Sequence, residues 1–260
     1  MNNIFVVKTV DEKPREGRDK FRDQHVWDIF WQCKRLYKKP YKFYLLTNFT
    51  TVTHPEINVI DVSKFKLDGW WNKMLLFHPD IDKEGTNLYF DLDVTFHREI
   101  TNIDKFIFSR MITCVYCFWK PVDWLDLSKQ PKELRDDPNM RFPSFYNTSV
   151  MGWKGGTLTD IWKQFDKDSD YIMTMYRGND DYLGHEWPGV LKALPRKIAY
   201  SYYYGADTGS EFFPRDKQAF KKREDYYIRL LNGPGKDEYK KSKPYYERLF
   251  NGSAVDPNRD

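Results

Sequence analysis

Nine residues, Leu88-Tyr89-Phe90-Asp91-Leu92-Asp93-Val94-Thr95-Phe96, constrain this chain more than any others. Apolar and aromatic residues run into two aspartates separated by one leucine, the pattern of a buried strand whose end carries acid. Side chains on a strand alternate between faces, so Asp91 and Asp93 are expected on the same one. Two carboxylates placed there repel each other unless something positive sits between them. A hard divalent cation, Mn2+ or Mg2+, is the natural partner, because such ions take oxygen ligands and bring phosphates with them. The plainer reading is a strand end with two solvated acids. Leu88, Phe90, Leu92 and Phe96 argue against it, since all four favour burial.

What precedes this stretch reads as half of an α/β domain. Ile4–Val7 is a short apolar strand, and a charged loop follows it to Arg22. Val26, Ile29, Phe30, Cys33 and Leu36 then recur at helical spacing. Tyr41–Leu46 and Ile57–Val62 read as strands, and Trp70–Phe77 as a short helix stopped before Pro79. In such sheets ligands bind beyond the carboxyl ends of the strands, which is where Asp91 and Asp93 fall. Beyond them, residues 120–143 form a long Pro-punctuated connection. Phe145–Trp153 reads as a strand, Thr157–Phe165 as an amphipathic helix, and Tyr176–Leu183 as a turn into a short helix. Ile198–Tyr204 and Tyr226–Leu231 are the last two predicted strands.

Composition excludes several classes. With 40% hydrophobic and 31% charged residues over 260 positions, the chain is globular and long enough for a sizeable core. Three cysteines make no disulfide framework, and Cys114-Val115-Tyr116-Cys117, with no second ligand pair, reads as buried thiols rather than a zinc site. The apolar run Phe106–Trp119 contains Arg110 and is too short to span a bilayer, and Met1–Lys8 reads as a strand rather than a signal peptide, so a cytoplasmic protein is expected. A net charge of +4 permits nucleic-acid binding without demanding it. Residues 214–250, however, hold eleven Lys/Arg against six Asp/Glu, with tyrosines interleaved. His54, His78, His97 and His185 show no metal-ligand spacing.

Two enzyme classes place Asp-x-Asp at a strand end. In haloacid-dehalogenase-type phosphatases Asp-x-Asp-x-Thr, which Asp91–Thr95 also fits, opens the core. Here a nucleotide-binding-like half comes first, and no later lysine motif completes the phosphatase set. The series of motifs instead resembles metal-dependent GT-A glycosyltransferases, most of all the retaining, glycogenin-like group with its bacterial and phage relatives. Trp70-Trp71-Asn72-Lys73 resembles the segment before Asp-x-Asp whose basic residue reaches the donor. Tyr146-Asn147-Thr148-Ser149-Val150-Met151 is similar to Phe-Asn-Ser-Gly-Val-Met, with Ser149 standing where the family has Gly. Arg177-Gly178-Asn179-Asp180-Asp181 is similar to the family's Gly-Asp-Gln-Asp turn. Asn232-Gly233-Pro234-Gly235-Lys236 stands where the family has a His-Gly loop on the diphosphate, with Asn232 in place of the histidine.

The resemblance implies an α/β fold of GT-A type, a Rossmann-like nucleotide-binding half (residues 1–96) and an acceptor half (97–250) around one mixed central sheet, with a tail at 251–260. It implies transfer of a sugar from a nucleotide sugar, UDP-linked, with retention, to an acceptor that is a glycan or, in a phage setting, a hydroxymethylated DNA base. The alternatives are the phosphatase and a non-catalytic nucleotide-sugar-binding protein. Implied metal ligands for Mn2+ or Mg2+ are Asp91, Asp93 and Asn232. Implied donor contacts are Lys8, Thr9, Lys73, Asp91, Arg177, Gly233, Gly235 and Lys236, with His25 in the base region. Asn147 would hold sugar hydroxyls, and Asp181 would steady an oxocarbenium-like centre. Residues 232–243 would close over the diphosphate.

Overall fold

The structure, a computed structural model, describes residues 1–10, 21–120, 125–126, 128, 142–202 and 225–231. A seven-stranded mixed sheet runs through the molecule in the order β3-β2-β1-β4-β7-β6-β8. These strands are β1 (Asn2–Val7), β2 (Tyr41–Thr47), β3 (Ile57–Asp61), β4 (Thr86–Phe90), β6 (Ile112–Tyr116), β7 (Tyr146–Lys154) and β8 (Leu191–Ala193). The first four are mutually parallel, β7 runs against both its neighbours, and β6 and β8 are parallel. A second sheet of three short strands, β5 (Val94–Phe96), β10 (Ile228–Leu230) and β9 (Ala199–Ser201), lies in that order.

The period-2 alternation expected of strands sorts the core into two layers. Ile4, Val6, Phe43, Leu45, Leu88 and Phe90 pack on one face with helix α1 (Asp23–Leu36) and the three-stranded sheet. Phe5, Leu46, Tyr89, Met151 and Trp153 pack on the other. There they meet a 3-10 helix (Gly69–Phe77), α2 (Thr159–Lys167), α3 (Ser169–Met175) and α4 (Asn179–Glu186). The helix expected at Trp70–Phe77 is therefore present, but as nine residues of 3-10 rather than α geometry. Runs of that length are uncommon. Here the buried Asn72 amide nitrogen braces the turn, lying 2.8 Å from Leu67 O, 3.0 Å from Gly69 O and 3.1 Å from Thr9 Oγ1.

One expectation is corrected. The stretch Leu88–Phe96 is not a single strand: β4 stops at Phe90, residues 92–93 turn, and β5 joins the other sheet by pairing with β10. Asp91 thus precedes the turn and Asp93 lies within it, so the two do not share a strand face. Cys114 and Cys117 are buried free thiols, and burial raises both, Cys117 to about 11. Among the described residues no helix is long and apolar enough to cross a membrane.

Candidate active site

The acids sit at the carboxyl end of β4, the central parallel strand. Tyr89 and Asp91, two residues apart, lie on the same side as the 3-10 helix, which delivers Lys73. The Lys73 ammonium is 2.9 Å from each Asp91 oxygen, and the Tyr89 hydroxyl donates to Oδ1. Burial pushes the Asp91 carboxyl up, but Lys73, Tyr89 and Ser149 together outweigh it and hold the group below the ordinary carboxylate range. An ionised carboxylate is therefore poised there, already facing a cation.

The neighbouring strand β7 supplies the second half. Cys114 pairs with Met151, but the next partner of β6 is Val115 with Asn147, so residues 148–150 bulge out of that ladder. Bulges re-aim side chains. Here the result is a hydrogen-bonded group that meets the first turn of α4. The Thr148 backbone N–H donates to Asp180 Oδ1 at 3.1 Å, and its hydroxyl donates to the same oxygen. Asn147 Nδ2 reaches Asp180 Oδ2 at 3.3 Å. Thr148 Oγ1 in turn accepts from Asn179 Nδ2 at 2.8 Å and from Lys73 Nζ at 3.4 Å. Lys73 and Thr148 thereby join the acids of β4 to those of α4 in one continuous network.

Asp181, next in sequence, points elsewhere. A helix rotates successive residues by about 100°, and the Asp181 carboxyl lies buried, 3.5 Å from Arg177 Nε. Burial raises it to about 6 against the pull of Arg177, with Asp180 pushing the same way as burial. Asp180, Thr148 and Tyr89 were given no role from the sequence, and Ser149 was noted only as a replacement for glycine. The Asn-Asp-Asp run did signal acid at a helix start, but only the helix phase tells its two aspartates apart.

The remaining residues fall as follows. Asp93 is buried and bears electrostatically on both Tyr89 and His25, while its carbonyl accepts the Leu231 N–H at 2.9 Å. Lys8 is buried, with its ammonium 2.8 Å from Asp23 Oδ1 and 2.8 Å from Phe49 O. Burial raises the Asp23 carboxyl, but Lys8, Thr51 and Thr50 overcome it and bring the group down to about 2. Lys8 thus ties the loop after β2 to the start of α1. The His25 ring accepts the Arg22 N–H at 2.9 Å. Burial lowers its pKa despite the opposing pull of Arg22 O and Asp93. Thr9 accepts from Asn72, and Asn72 borders a cavity of about 210 Å3 lined also by Val10, Asn48, Ser63 and Asp68, beyond the ends of β1–β3. Asn232, Gly233, Gly235, Lys236 and the loop 232–243 lie outside the described residues.

Hard-cation chemistry fits the donors present. Asp91 is an ionised oxygen donor, and Asp93 is a second carboxylate one residue beyond the intervening leucine. Among the described residues no group of three or more His, Cys, Asp or Glu is gathered closely enough to hold a metal, so Asp91 and Asp93 are the two carboxylates offered for one.

No protein-family model matches the sequence, and no curated protein matches it. Solved structures do match. An active-site mutant of LgtC aligns with a TM-score of 0.63 over 98% of this chain and 98% of that one, at 11% identity. The galactosyltransferase LgtC in complex with donor and acceptor sugar analogs gives 0.59, 12% identity and coverage of 99% and 98%. The bifunctional glycosyltransferase WbbM gives 0.56 and 10% identity, over 95% of this chain and 51% of that one. The chain has the GT-A fold.

Proposed function

We propose that this chain is a glycosyltransferase that moves a sugar from a nucleotide sugar to a hydroxyl acceptor. The observation that carries the reading is the network of Tyr89, Asp91, Lys73, Thr148, Asp180 and Asn147 at the carboxyl end of the central strand of a GT-A fold. The nucleoside would enter the cavity bordered by Asn48, Asp68 and Asn72, the residue next to Lys73.

Sugar transfer from a nucleotide leaves a diphosphate that gains charge as its bond to the anomeric carbon breaks. Mn2+ or Mg2+, held by Asp91 and Asp93, would neutralise part of that charge as a Lewis acid. Lys73 supplies a second cation on its own: it spans Asp91 and Thr148 and can shift its hydrogen bonds to phosphate oxygens. Asn147, half-buried and held by Asp180, presents amide hydrogen-bonding capacity suited to sugar hydroxyls. Asp180 then places a carboxylate beside the sugar, a position the sequence assigned to Asp181. Arg177 stays with Asp181, and Lys8 with Asp23, so both act through position rather than on the donor. UDP as the nucleotide, retention at the anomeric carbon and completion of the metal site by Asn232 rest on the family resemblance, as do the diphosphate contacts of Gly233, Gly235 and Lys236. So do the single domain over residues 1–250 and a cytoplasmic, phage-type setting.

The test is release of nucleoside diphosphate from a panel of nucleotide sugars with Mn2+, run beside a phosphatase substrate. Wild-type release that disappears on chelation, and in Asp91→Asn and Asp93→Asn proteins with unchanged circular dichroism, is the expected result. Turnover of the phosphatase substrate alone, or full release by either variant, defeats the reading.

A further inference from the structure

In a 3-10 helix residues i and i+3 eclipse one another, one turn of about 6 Å apart. Trp70, Lys73 and Leu76 therefore share one face of the helix Gly69–Phe77. That face runs outward from Leu76 in the core, past Lys73 at the Asp91 carboxylate, to Trp70, which is 38% exposed. Exposure alone says little, since Phe49 and Tyr171 are more exposed; what sets this indole apart is that it lies in line with the site and is held in place. The structure holds it firmly. Its Nε1–H donates to Arg177 O at 3.0 Å. The ring lies so close to Gly178 that a β-carbon there would come within 2.6 Å of Nε1 and 3.0 Å of Cδ1. Gly178 leads directly into Asn179 and Asp180, the residues that complete the network. The ring is thus pinned to the backbone that opens α4, between the Lys73 end of the site and the Asp180 end, with its outer surface toward solvent.

We propose that Trp70 is a stacking platform for the acceptor, and that the acceptor is the pyranose ring of a saccharide. This rests on the transferase reading of the same site. A pyranose offers a face of C–H groups that suits the electron-rich face of an indole, and a rigid aromatic supplies that contact at low entropic cost. The charges around the ring decide against a nucleic acid. Asp68, exposed and two residues before Trp70, and Asp180, two residues after Gly178, both repel a phosphate backbone, while Arg177 is engaged by Asp181. A neutral, hydroxyl-rich ring meets no such penalty.

Two measurements test this. The full chain labelled with 5-fluorotryptophan has nine fluorine resonances, one per Trp, and Trp70→Phe assigns one of them to Trp70. Titration with glucose, galactose, maltose, lactose and cellobiose should shift that resonance saturably with at least one sugar. A duplex containing hydroxymethylcytosine should not shift it. Silence to every sugar, or a response to the duplex alone, overturns the proposal. In transfer assays with whichever sugar shifts the resonance, Trp70→Ala should raise the acceptor KM about tenfold, the scale of a lost stacking contact, with the donor KM moving less. Trp70→Phe keeps a ring but loses the bond to Arg177 O, and it should stay near wild type. Were Trp70 only a fastener for α4, Phe would be as damaging as Ala, and that result also sinks the idea. If the wild-type protein releases no nucleoside diphosphate from any donor, the transferase reading falls on its own, and the fluorine titration still decides Trp70.

Discussion

At the scale of single residues, the informative contrast is between Asp180 and Asp181. Chemically alike and adjacent, they differ in surroundings: Asp180 accepts three hydrogen bonds from Thr148 and Asn147, whereas Asp181 is buried beside one arginine. Their variants should separate accordingly. Asp180→Ala and Asn147→Ala should lower kcat by about tenfold or more while calorimetric UDP affinity changes little, because neither faces the nucleoside cavity. Collapse of UDP affinity at unchanged turnover would reverse the assignment. Asp181 instead makes a statement about stability. Its carboxyl ionises near 3.8 when unfolded and near 6 when folded, so between those values the folded chain keeps a proton that the unfolded chain has released. The contribution is complete below the lower value and is lost as pH rises through the upper one, on the order of 2–3 kcal/mol. Urea unfolding across about pH 4 to 6.5 should show wild type losing stability relative to Asp181→Asn. Parallel curves would mean that the carboxyl is not perturbed.

At the scale of elements, the 3-10 helix is the piece on which donor, metal and acceptor readings converge. It positions Lys73 and Trp70, and it borders the cavity through Asn72. Its geometry depends on an amide nitrogen facing three oxygens, Leu67 O, Gly69 O and Thr9 Oγ1. Asn72→Asp is nearly isosteric yet replaces that donor with an acceptor. It should cost about 1–3 kcal/mol, and at least as much as Asn72→Ala, which merely leaves the oxygens unsatisfied. Denaturant titration of both proteins gives the comparison, and a milder effect for Asp would show that the amide does not brace the helix. UDP affinity should fall in step with stability, since the helix carries Lys73.

The whole molecule depends on a return of the chain. β10, more than 130 residues after β5, pairs with it and with β9, and Leu231 bonds back to Asp93. Tyr226, Ile228, Leu230 and Leu231 are all at most 2% exposed. At about 1.5–3 kcal/mol for each buried side chain, they account for much of the 5–15 kcal/mol that keeps a domain folded. A chain ending before Tyr226 should therefore lose its cooperative thermal transition rather than melt a few degrees lower. A sharp transition within a few degrees of wild type would show that residues 1–225 need no such closure.

Much of this was written locally. Strands β1 to β4 and β7, the helix at Asp23–Leu36, the burial of Cys114 and Cys117 and the acid at the end of β4 all follow from periodicity and burial preference, which a short window of residues expresses by itself, whereas β6 and the three-residue β8 carried no such signal. What escaped that reading depends on partners far along the chain. Leu88–Phe96 is apolar at every position a strand would need, yet the chain turns at Leu92-Asp93 because β10 offers Val94–Phe96 a different sheet. The sequence does not show that Lys8 pairs with Asp23, and Thr148 and Tyr89 look like ordinary strand residues until a bulge and a lysine bring them to one network. The choice between Asp180 and Asp181 is a matter of helix phase against β7. Sequence alone determined which residue types stand at the strand and helix ends. Only tertiary structure decided which atoms face one another, because hydrogen bonds and ion pairs act over a few ångströms that the order of residues does not specify.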